Sequence, residues 1–130
     1  MSTLKVATIQ DTSGNNSSTP AGIASGTAKA WVNFNGTGTV AIRGSFNVSS
    51  ITDIGTGSYT INYTNAFANT NYSVVGTADG THNGSIVSIG HADSDNAGIQ
   101  TANTRMECRG GHGSGSNTDA TFFCAIAISS

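Results

Sequence analysis

Apolar residues recur at every second position through most of the chain beyond residue 27. In "AKAWVNF" the side chains of Ala30, Val32 and Phe34 share one face of an extended segment, and in "TVAIRG" Val40 and Ile42 do the same. "SYTINYT" aligns Tyr59, Ile61 and Tyr63, "NYSVVGTA" aligns Tyr72 with Val74, and "TRMECR" aligns Met106 with Cys108. "SIVSIG" sets Ile86 with Ser88 on one side and Val87 with Ile89 on the other. A period of two sends alternate side chains to opposite faces, so each segment reads as a strand with one buried face. Clusters of Gly, Asn, Asp, Ser and Thr separate the segments, which is the layout of an antiparallel β-sandwich.

Three stretches add detail. "DATFFCAIAIS" is apolar on both sides, with Phe122, Cys124, Ile126 and Ile128 opposite Phe123, Ala125 and Ala127; such a strand is expected at the centre of a sheet or at a subunit interface. "SITDIGTGSYTINYT" predicts a hairpin turning at Gly55, Thr56 and Gly57, where glycine permits positive φ. "STPAGIASG" predicts the one short helix, capped by Thr19, opened by Pro20 and closed near Gly26. Ahead of it, "TLKVATIQDTSG" reads as a separate strand, joined to the body by the polar "NNSS" and free to lie on a neighbouring subunit. No helix-period segment is long enough to build a helical layer, so the fold class is all-β. The expected organisation is an N-terminal assembly segment over 1–27, comprising strand, linker and helical turn, and a sandwich domain over 28–130.

Composition changes the picture at the surface. Only 9% of the 130 residues are charged, against roughly 25% in an average soluble domain. Lysine and glutamate normally guard exposed strand edges, so a surface covered by Ser, Thr, Asn and Gly implies edges or faces covered by copies of the same chain. The net charge is -2 and the five basic residues are scattered apart from Arg105 and Arg109, which excludes the basic stripe of a nucleic-acid groove. No apolar run approaches the roughly 20 residues of a membrane span. The opening "MSTLKVATIQ" lacks the layout of a signal peptide, and the chain reads as soluble and made in the cytosol.

Residues 28 to 78, above all "AKAWVNFNGTGTVAIR" followed by "SSITDIGTGSYTINYT", resemble the distal domain of tail-fibre and other short structural proteins of marine and cyanobacterial tailed phages. The opening "STLKVATIQDTSGN" is similar to a segment these proteins often carry. The resemblance implies an intertwined homotrimeric fibre tip or knob. It also implies assembly in the cytoplasm of the infected bacterium and display on the virion, where the tip contacts the host surface without catalytic residues. The family often has longer, variable sequence before the "AKAWVNF" strand; here only a short linker stands there. Residues 79 to 118 match no pattern of that family, as expected of recognition loops that vary with host.

The candidate receptor-binding residues lie in three glycine-rich connections: Asp79, His82 and Asn83; His91, Asp93, Asp95 and Asn96; and Arg109, His112, Ser114 and Asn117. The expected ligand is a host cell-surface glycan or an outer-membrane protein, and the N-terminal strand is a candidate for contact with other virion proteins. "RGGHGSGSNTD" reads either as a recognition loop, pairing an accessible backbone with hydrogen-bonding side chains suited to sugar hydroxyls, or equally as a plain floppy connector. The histidines have no i, i+2 or i, i+4 spacing to bring two imidazoles to one metal. "HADSDN" lacks the later ligands of a calcium loop and reads as an Asx-rich turn. No metal or cofactor is expected. There is no G-x-S-x-G elbow, and the seven acids sit almost entirely in turns, so no catalytic set is expected. Glu107 reads as an ion-pair partner of Arg105 and Arg109 or, alternatively, as a polar sugar contact. Cys108 and Cys124 fall on consecutive strands read as a hairpin around "GGHGSGSNT"; a disulfide is conceivable there, and two buried thiols are the expectation in a reducing cytosol. Trp31 alternates out of phase with the core residues, which places it toward solvent or, as the preferred reading, at a subunit interface.

Overall fold

In the computed structural model, which describes residues 2–79, 85–90, 98–110 and 116–129, the alternating segments become strands of two antiparallel sheets. The elements in chain order are α1 (Pro20–Gly26), β1 (Ala28–Asn35), β2 (Ala41–Phe46), β3 (Val48–Gly55), β4 (Ser58–Tyr63), β5 (Tyr72–Ala78), β6 (Ser85–Ile89), β7 (Asn103–Gly110) and β8 (Phe123–Ser129). One sheet has the order β2-β1-β8-β5 and the other β3-β4-β7-β6. The chain is therefore an all-β sandwich, as its patterning predicts.

The inward faces are the ones the alternation picks out. Ala30, Val32 and Phe34 of β1, Tyr59, Ile61 and Tyr63 of β4, Met106 and Cys108 of β7, and Phe123, Ala125 and Ala127 of β8 are all buried. Aromatic groups close the core at both ends. Phe34, Tyr59 and Phe123 meet with ring centroids 4.9–5.5 Å apart at one end, and Tyr63, Phe67 and Tyr72 meet at the other. A side chain as fully enclosed as Phe123, at 0% exposure, contributes about 1.5–3 kcal/mol by burial alone. Small residues fill the middle: a Cβ on Gly76 would stand 2.8 Å from both Met106 and Val87, so β5 comes close to the opposite sheet only because this position is glycine.

β8 lies between β1 and β5, at the centre of its sheet. β7 and β8 do not form the hairpin expected of them, because they belong to opposite sheets and the chain crosses the sandwich between them. Alternation specifies the side a residue faces but not the strand it pairs with. The same crossing separates the cysteines: Cys108 is buried in the core, Cys124 is half-buried on the outward side of β8, and both are free thiols. Cys124 Sγ accepts a hydrogen bond from Asn33 Nδ2 at 2.8 Å.

Ahead of the sandwich, α1 forms where expected, with Thr19 Oγ1 accepting a bond from the Gly22 amide at 3.0 Å. The segment before it is not a strand of either sheet. Its backbone has no ladder partner; Ile9 bridges only to Ser18, closing a small loop around the carboxylate of Asp11. Bonds from the backbone amides, that of Asn15 foremost, hold the Asp11 carboxyl below its usual range. Residues 2–26 are exposed throughout, Leu4, Val6 and Ile9 included.

Candidate functional site

The sandwich has two distinct ends. β1 begins beside the end of β8, where Ala28 pairs with Ile128, and runs away from the exposed N-terminal arm, residues 2–26, to place Phe34 opposite Phe123. At this far end the β1–β2, β3–β4, β5–β6 and β7–β8 connections gather. The base, by contrast, holds α1, the β4–β5 connection and the end of β8.

At the far end the connections are stitched to one another near their roots. The Asp119 carboxylate accepts the Gly57 amide at 2.7 Å and the Tyr59 hydroxyl at 3.0 Å, and that hydroxyl also reaches the Gly36 carbonyl at 3.0 Å. Gly36 in turn donates to the Ala120 carbonyl at 2.9 Å. Burial foremost, and then the bond to Asp119, push the Tyr59 phenol well above its ordinary value, so this hydroxyl is a donor at any physiological pH. Gly57 has φ +64°, and a Cβ there would stand 2.5 Å from the Cys108 carbonyl oxygen. Only glycine lets the β3–β4 turn press this closely against the end of β7.

Residues 116–118 run back beside the end of β7. Gly110 donates to Ser116, Thr118 donates to Cys108, and Arg109 bridges Asn117. The return expected around "GGHGSGSNT" therefore exists, but β7 makes it with this short stretch rather than with β8. Asp79 joins the β5–β6 connection to the same rim: its amide donates to the Phe122 carbonyl at 2.9 Å and its carboxylate accepts the Phe122 amide at 2.6 Å.

Of the residues predicted to bind a receptor, Asp79, Arg109 and Asn117 thus share the far end. His82, Asn83, His112 and Ser114 lie outside the described residues, in connections whose described roots are at that end. His91, Asp93, Asp95 and Asn96 also lie outside them, but their connection springs from elsewhere. Gly90 donates to the Arg105 carbonyl at 2.9 Å and Arg105 to the Gly98 carbonyl at 2.8 Å, so this connection leaves nearer the base than Arg109 does. The three connections do not converge on one patch at their roots.

Glu107 is an ion-pair partner within the chain. Its carboxylate lies 3.1 Å from Arg109 and 3.7 Å from Arg105 on the outward side of β7, with the Glu107 side chain 8% exposed and that of Arg109 49%. Arg105 also donates to Ser58 at 3.2 Å. One carboxylate between two guanidinium groups leaves a local excess of positive charge, and the Arg109 fork is open to an acceptor in solvent. Among the described residues no group of three or more His, Cys, Asp or Glu side chains converges as a metal site, and no described helix is long and apolar enough to cross a membrane.

Asp119 is the far-end residue that the sequence pattern did not single out. Its partners Gly57 and Tyr59 are some sixty positions away, and no spacing rule connects them. The fold and its rim define an antiparallel β-sandwich with a stitched, loop-built end. No family model, curated protein or solved structure matches the chain.

Proposed function

We propose that the protein is a non-catalytic attachment module of a tailed-phage virion. In this reading it is a homotrimeric tail-fibre tip that binds a glycan or an outer-membrane protein on the host cell surface. The observation that carries the reading is the polarity of the molecule: the chain enters the sandwich at the base, and the connections bearing Asp79, Arg109 and Asn117 project from the opposite end. An arm tethered to the virion would present that end outward. Hydrogen bonds at the roots hold the rim in place, which lowers the ordering cost of binding. Three such rims on one tip gain avidity from high effective concentration, so each contact can be weak. No nucleic acid, membrane insertion or cofactor enters the mechanism.

The test is binding of fluorescently labelled protein to candidate host cells. Arg109→Ala combined with Asn117→Ala is expected to reduce cell binding at least tenfold while leaving the thermal midpoint unchanged. Binding equal to the unaltered protein, on cells that the virion infects, would remove the rim from the attachment role. The exposed arm favours a second reading, a structural virion component docked through Leu4, Val6 and Ile9. Under that reading the protein ignores host cells and captures another virion protein, and deletion of residues 2–19 abolishes the capture.

A further inference from the structure

The two outer faces of the sandwich differ in chemistry. The outward positions of β3, β4 and β7 carry Ser50, Thr52, Thr60, Asn62 and the Arg105–Glu107–Arg109 cluster, linked by bonds such as Asn62 Nδ2 to Thr52 Oγ1 at 2.9 Å. The outward side of the β2-β1-β8-β5 sheet carries a continuous apolar band across its middle, whereas Ile54 and Ile86, exposed apolar residues of the other sheet, stand apart from one another on its two edge strands. Phe46 stands opposite Trp31, Trp31 opposite Ile126, and Ile126 opposite Val75, so one uninterrupted row of large apolar side chains crosses all four strands. Their exposures are 55%, 43%, 36% and 62%, and Ile128 adds another apolar side chain toward the base at 39%. The Trp31 ring lies against Gly44 of the neighbouring strand. Between the row and its neighbours Asn33, Cys124 and Thr77 runs a groove of about 250 Å³. The four strands carry only two charged residues, Lys29 near the base and Arg43 near the loop end.

We propose that this face is an interface between copies of the same chain, with the Phe46–Trp31–Ile126–Val75 row at its centre. Three arguments select a second copy as the occupant. First, the row is charge-free and apolar from edge to edge, so copies of it can converge around a threefold axis without like-charge repulsion or a stranded ion. Second, its dimensions are of the right order. Strands about 4.8 Å apart and seven residues long at about 3.3 Å each span roughly 19 by 23 Å, which in projection is more than half of the ~800 Å² per partner of a standard interface, and the relief of the protruding side chains adds to it. Third, the row lies in the middle of the sheet, away from the rim and from the polar outer face, so burying it leaves Arg109 and Asn117 free. The inference deepens the assembly part of the proposed function and rests on it; host binding by the rim is read out separately on cells.

Trp31 is the one tryptophan of the chain, which makes the interface self-reporting. The experiment combines light scattering after size-exclusion chromatography with acrylamide quenching of Trp31 emission, across a hundredfold dilution of the full chain. The expected result is an oligomer whose Trp31 is protected at high concentration and becomes several-fold more quenchable on dilution. Val75→Lys, at the most exposed position of the row, is expected to give a folded monomer with Trp31 quenchable at every concentration. Ile86→Lys, on the opposite sheet and 64% exposed, is expected to leave the oligomer intact. A monomer at all concentrations overturns the proposal. So does an oligomer in which Trp31 is as quenchable as in the dilute protein, because the copies then meet elsewhere. The quenching of the unaltered chain decides the matter even if Val75→Lys fails to fold.

Discussion

Tyr59 and Tyr63 show what single polar atoms do in a core built mostly of small and aromatic residues. The Tyr63 hydroxyl shares Thr104 Oγ1 with Tyr72, at 2.7 and 2.6 Å, and the Tyr59 hydroxyl ties the first aromatic group to the loop end through Asp119. Burial raises the phenol values of both Tyr59 and Tyr63 above the ordinary one. Each therefore holds its proton more tightly in the fold than in the unfolded chain, where a phenol titrates near about 10. The stability this represents is fully present below that value and is lost as pH climbs through it toward the folded-state values. Thermal midpoints are accordingly expected to be flat from neutral pH to about pH 9 and to fall steeply above about pH 10. Tyr59→Phe should lose about 1–2 kcal/mol at neutral pH, through the stranded Gly36 and Asp119 acceptors, and show a shallower alkaline decline. An alkaline profile identical to that of the unaltered protein would remove Tyr59 from this account. The measurement is thermal unfolding followed by circular dichroism over a pH series.

Among the elements, the β3–β4 hairpin carries the sharpest local requirement. Gly57→Ala forces a Cβ against the backbone of Cys108 and Thr118 at 2.5–2.6 Å, where no side chain can swing away. Gly38, also at positive φ, has nothing within 4 Å. Chemical denaturation should therefore show Gly57→Ala losing at least about 2 kcal/mol more than Gly38→Ala, which carries only the backbone strain of about 1 kcal/mol. The hairpin itself was legible in the sequence, as were the capped helix after Thr19 and the inward sets of β1, β4 and β7, because each follows from local periodicity or turn chemistry. Strand β8 was legible only in part. Its two apolar sides mark it as central, but its small residues Ala125 and Ala127 face the core while Ile126 and Ile128 face outward, a choice set by how closely the two sheets approach. The site was less legible still. Asp79, Arg109 and Asn117 come to one end through pairings that cross the sandwich, and alternation contains no information about which sheet a strand joins.

At the scale of the molecule, the arm buries no side chain in the sandwich core. Residues 2–26 contribute nothing to the buried core, so removing residues 2–19 is expected to change the unfolding free energy by less than about 0.5 kcal/mol. A larger loss, measured on the truncated chain by denaturant unfolding at low concentration, would mean that the arm braces the fold. The other end of the sequence behaves in the opposite way. The last of the eight described strands sits in the middle of its sheet, with β1 on one side and β5 on the other. Each of those two strands keeps an unpaired edge until Phe123 to Ser129 join them, a pairing that is distant in sequence for β1 and so slow to form. Without β8 the sheet would not be slightly narrower but split down its centre, so this one strand holds the β2-β1 pair and β5 together.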